Sequence, residues 1–181
     1  MNRMGRDLMG VLAALVGLVL ILVVLVQGAF WLLTRPGYVV LDVPPPGGAD
    51  WGPASTDTVL FDSGTLAYDV RWQVASLPGE ASWEATATAF SAALAGTGWR
   101  EAPATYWDSH VYDDVCASVL RDHFSDQSPV GRVTYLPADS PTPGPDFRAT
   151  QQPASACLVG WQEGDRLTVV LITSSAAHPN W

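Results

Sequence analysis

The sequence predicts an α+β fold: one N-terminal transmembrane helix, then a small antiparallel sheet of about five or six strands with one helix packed on a face. Three observations carry this. Residues 8–26 are apolar without a break, residues 66–74 alternate apolar with mostly polar side chains, and Trp83, Ala87, Phe90 and Leu94 recur at helical spacing. Periods of two and of 3.6 residues mark a strand covered on one face and a helix packed along one stripe.

The apolar run sets the expected location. Its nineteen residues, at about 1.5 Å rise each, cover roughly 28 Å, close to the hydrocarbon thickness of a bilayer. Apolar character resumes after Gln27 through Phe30, Trp31, Leu32 and Leu33. A secretory leader has an apolar core of only about 7–15 residues, so a retained signal-anchor over residues 8–33 is expected instead. Arg3 and Arg6 outweigh Asp7 ahead of the run, which holds residues 1–7 in the cytoplasm and places the rest outside. The first cysteine is Cys116, which excludes a lipoprotein anchor. Gly10, Ala14 and Gly17 put small residues a turn apart, a weak surface for association of two anchor helices.

Residues 34–56 read as a semi-stiff spacer, because Pro36, the triplet Pro44-Pro45-Pro46, Gly47, Gly48 and Pro53 interrupt any regular ladder. The extracytoplasmic domain is expected over residues 57–175, with a tail at 176–181. Residues 58–61 pair with the strand at 66–74 through the turn-forming Asp62-Ser63-Gly64. The helix follows Pro78-Gly79 over residues 79–95 and closes at Gly96-Thr97-Gly98. Residues 111–119 read as a strand with Val111, Val115, Ala117 and Val119 on one side, and 133–136 as a shorter one. Residues 157–162 and 166–173 flank Glu163-Gly164-Asp165, a hairpin turn, and the second of these strands is apolar enough to be covered on both faces.

Charge narrows the function. Set aside Arg3, Arg6, Arg35 and Asp7, and six arginines face seventeen acids, a formal charge of minus eleven. Such a surface repels nucleic acid and attracts basic partners or cations. Lysine is absent from the chain, which removes serine-lysine dyads, lysine-bearing phosphate loops and Schiff-base chemistry. No cofactor is expected.

Cys116 and Cys157, both read as strand residues, are expected to form a disulfide, as exported proteins permit. A bridge across 41 residues is worth about 4 kcal/mol in the chain-entropy view. Candidate chemistry is sparse. The stretch 108–114 places Asp108, His110 and Asp114 on one face of an extended strand, a set of cation ligands without calcium-loop or zinc spacing. His110, near Asp108, and His123, beside Asp122, are the candidate acid-base residues. No Gly-x-Ser-x-Gly elbow accompanies them. Trp107 and Trp161 are candidate walls of a groove for a peptide or glycan.

A short arginine-bearing tail, one anchor helix, a proline-rich spacer and a small cystine-bearing domain, lysine-free and rich in alanine and tryptophan, resemble the layout of exported proteins of GC-rich bacteria. This resemblance transfers no functional residue. The expected function is that of a non-catalytic envelope-associated binding module with a protein or envelope-polymer partner. A small exported hydrolase using His110 or His123 and a divalent-cation-binding domain are the alternatives.

Overall fold

The computed structural model describes residues 16–26, 37–61, 66–103, 115–140, 153–176 and 178–179. The chain divides into two compact units, Met1–Pro36 and Gly37–Trp181. In the first, residues 16–26 form helix α1, and every side chain on it other than Gly17 is exposed although all are apolar. Among the described residues no helix is long and apolar enough to cross a membrane. Gly10 and Ala14 of the small-residue stripe lie outside the described residues, and Gly17 looks onto open space.

The second unit is α+β. In chain order it holds β1 (Ser55–Phe61), β2 (Leu66–Ser76), α2 (Trp83–Leu94), β3 (Trp99–Glu101), α3 (Val115–His123), β4 (Pro129–Pro137), β5 (Ser155–Glu163), β6 (Arg166–Ser174) and β7 (His178–Pro179). Six strands run antiparallel in the order β1-β2-β6-β5-β4-β3, and two-residue β7 pairs with the start of β2. The β5–β6 hairpin turns at Gly164, whose φ of 65° suits a residue without Cβ.

Strand β6 explains the layering. Leu167, Val169 and Leu171 point to one face, Val170 and Ile172 to the other, and all five are buried. A strand apolar on both faces requires a cover on both. Helix α2 covers the first face with Phe90 and Leu94, which meet Tyr135, Ala156 and Leu158. Its first turn begins at Trp83 because Ser82 caps it, the side chain accepting the Ala85 N–H at 3.2 Å. Helix α3 covers the second face with Val115, Cys116 and Val119, against Tyr68, Val70, Val159 and Ile172.

Helix α3 corrects two expectations. The sheet carries a helix on each face, not one, and residues 115–119 are helical, so Cys116 sits in a helix opposite the strand residue Cys157. Burial decides the period: Val115, Cys116, Ser118 and Val119 are buried and Ala117 is exposed, whereas a strand would bury Ala117 with Val115 and Val119. Four apolar residues over so short a stretch fit either period, and the cover demanded by β5 and β6 selects the helical one. Residues 111–114 of that reading lie outside the described residues. Helix α3 runs to His123 and β4 starts at Pro129, so the connection between them is short. The Cys116–Cys157 disulfide fastens α3 to β5 with Cα atoms 6.6 Å apart.

The proline-rich stretch packs on the α2 face. Leu41 and Val43 are buried, Trp51 donates its indole N–H to Val43 O at 2.7 Å, and Gly52 N–H donates to Val74 O at 2.8 Å. Gln73 returns a hydrogen bond to Gly52 O at 3.0 Å. Prolines without N–H groups can follow a sheet face in extended form and need no ladder.

Trp83 lies flat against Gly131 and Gly160, directly paired residues of β4 and β5. A Cβ at either glycine would enter the indole. Gly160→Ala is therefore expected to lower stability by about 1–3 kcal/mol, the usual cost of overpacking. Denaturant midpoints measure it, and the loss should shrink in a Trp83→Leu background, where the clash is gone.

Tyr135 gives a pH signature. Its ring is 1% exposed, and burial pushes the phenol above its ordinary value while a hydrogen bond with Ser91 at 3.0 Å opposes the shift. A raised folded-state pKa means that the contribution is intact below the ordinary tyrosine range, near 10, and is lost as pH climbs through the higher folded value. Denaturant midpoints measured across the alkaline range should fall there, and Tyr135→Phe should flatten that fall.

Candidate functional site

Two histidines among the described residues meet carboxylates, and both partners are distant in sequence. At the end of α3, His123 Nε2 lies 3.1 Å from Asp57 Oδ2 on β1, and the imidazole stacks on Trp72 of β2 with centroids 4.4 Å apart. The register explains the meeting: Asp57 pairs with Val70 and shares the α3 face with it and with Trp72. Asp122, the sequence neighbour expected to orient His123, instead binds Arg121 at 2.9 Å. That hydrogen bond raises the guanidinium above its ordinary value and lowers the carboxyl below its own.

The second pair lies on the opposite face. His178 Nε2 meets Asp69 Oδ2 at 2.6 Å, and Asp69 is 1% exposed. Thr58 Oγ1 donates to the other carboxylate oxygen at 3.1 Å, while Asp69 exchanges main-chain bonds with Ser175, its N–H donating to Ser175 Oγ and its C=O accepting Ser175 N–H. These partners satisfy a buried carboxylate that would otherwise be costly. The odd positions of β2, expected to face water, thus include a buried acid. His178, read from sequence as part of the tail, is its partner, and no periodic pattern marks a residue there.

The third feature is a shallow cleft of about 160 Å³ where α3 ends, lined by Leu120, Arg121, Phe124, Ser125, Gln127, Pro129 and Trp161. The rings of Phe124 and Trp161 meet at a tilt of 45° with centroids 5.3 Å apart. Trp161 is 3% exposed and donates its indole N–H to Glu163 Oε1 at 3.0 Å. Of the two tryptophans singled out by sequence, Trp161 thus forms a buried wall, and Trp107 lies outside the described residues.

No protein family, curated protein or solved structure matches this chain. Asp108, His110 and Asp114 lie outside the described residues. Among the described residues no three His, Cys, Asp or Glu side chains gather as metal ligands.

Removing the imidazole at His178 leaves Asp69 with one partner fewer in a buried setting. His178→Ala should cost about 1–3 kcal/mol, the penalty of a buried acceptor losing its donor. Thermal unfolding of the full chain measures it, and an unchanged midpoint would show that the tail contributes nothing.

Proposed function

We propose that the chain is a single-pass membrane protein, anchored through residues 8–33, whose folded unit lies outside the cytoplasm and acts as a non-catalytic binding module. One observation carries the location: α1 is apolar all round and its side chains are exposed. A helix without a polar face gains nothing from water, and lipid is the solvent that suits it. The disulfide agrees with an oxidising compartment. The aromatic-walled cleft beside α3 is the feature suited to binding.

A hydrolase is the second reading, favoured by the Asp57–His123 contact, in which a carboxylate orients an imidazole as acid-base chemistry requires. One host strain separates the readings. Protease added to intact spheroplasts is expected to remove the folded unit, and a C-terminal tag protected until lysis would reverse the orientation. In the same strain, His123→Ala that folds by circular dichroism should still complement a deletion if the module binds. A proton carrier's loss instead costs about 10²- to 10⁴-fold in rate, so a folded variant that fails to complement would put the hydrolase first.

A further inference from the structure

We propose that the cleft at the end of α3 receives an apolar side chain from a cationic segment of a partner protein. This rests on the binding reading and gives it a site and a ligand class.

The cleft is held on both sides by elements that are covalently joined. On α3, Cys116 and Leu120 stand one turn apart, and Phe124 N–H still donates to Leu120 O at 2.8 Å past the helix end. On β5, Cys157 and Trp161 share the α3 face. The disulfide thus clamps these two elements at one end, and the cleft opens between them at the other. Walls fixed in advance lose little freedom when a ligand enters, which favours affinity.

Size and shape select the occupant. About 160 Å³ is well below the roughly 300–1,000 Å³ of sites for drug-sized ligands. It suits one anchoring side chain, the usual centre of a protein interface. Glycans are recognised over flat exposed rings, and Trp161, at 3% exposed, offers none.

Charge selects the flanks. Asp126 lies between the lining residues Ser125 and Gln127, and Glu163 holds the Trp161 indole. Arg121, the charged residue among those lining the cleft, is already engaged by Asp122. The whole exported part carries the same sign. A basic segment is steered to such a rim, and an acidic one is repelled.

The test uses the full chain in neutral-lipid nanodiscs and a fluorescent peptide, Lys-Arg-Phe-Arg-Lys, read by anisotropy. Saturable, salt-sensitive binding is expected, weakened at least about tenfold when the peptide Phe is replaced by Ala or its basic residues by Glu. Ser125→Trp, which fills the cleft, and Asp126→Arg, which reverses the rim, should each weaken it comparably while circular dichroism stays unchanged. No binding, or binding indifferent to Ser125→Trp, overturns the proposal, the latter revealing only attraction to an acidic surface. Displacement of the peptide by chitotriose would overturn the peptide class in favour of a glycan. Crosslinking in native membranes separates the two levels. One partner captured equally by wild type and Ser125→Trp overturns the cleft and leaves the binding reading standing, whereas capture of none by either, with no peptide binding, removes both.

Discussion

Strand β6 can be buried only from two sides at once, and the placement of the other elements follows from that. Its apolar side chains alternate between faces, so the strand has no wet side. β2 and β5 satisfy its backbone, and α2 and α3 close the two faces. The first cover is assembled locally around a capped helix. The second needs a nine-residue helix on its own too short to be stable in water. The Cys116–Cys157 bond supplies what length does not, holding α3 on β5 by covalent restraint.

Much of this order was legible because local period and local burial agree. The β5–β6 hairpin, β2 and α2 carry apolar patterns long enough to identify their type, and turn residues mark their ends. Helix α3 was not legible. Val115, Ala117 and Val119 satisfy a strand period, Val115, Cys116 and Val119 a helical one, and the choice is made by a sheet face formed from residues far along the chain. The proline-rich stretch misleads for a related reason. Its composition says extended, correctly, but nothing in it says that Leu41 and Val43 meet the core and not solvent.

The polar contacts teach the same lesson about distance. His123 stands next to Asp122 in sequence, and its carboxylate comes from β1, 66 positions away. Asp69 and His178 are 109 apart. A sequence displays neighbours, while ion pairs are chosen by register and face. The cystine was the exception: with two cysteines in the chain, their pairing is fixed by number alone, even though Cys116 sits in a helix where a strand was expected.

Asp57 has a consequence for how copies of this chain coexist. One carboxylate oxygen meets His123, and the other accepts the Thr58 N–H at 2.8 Å. Thr58 stands opposite Asp69, whose own main-chain groups are spent on Ser175, so the Thr58 N–H faces away from β2. The sheet's first edge is thus closed at its midpoint by its own side chain. A bare edge is a template on which a second strand can grow. With that donor taken and a negative charge seated over it, neighbouring copies lack the uninterrupted row of hydrogen bonds from which a cross-chain sheet would start.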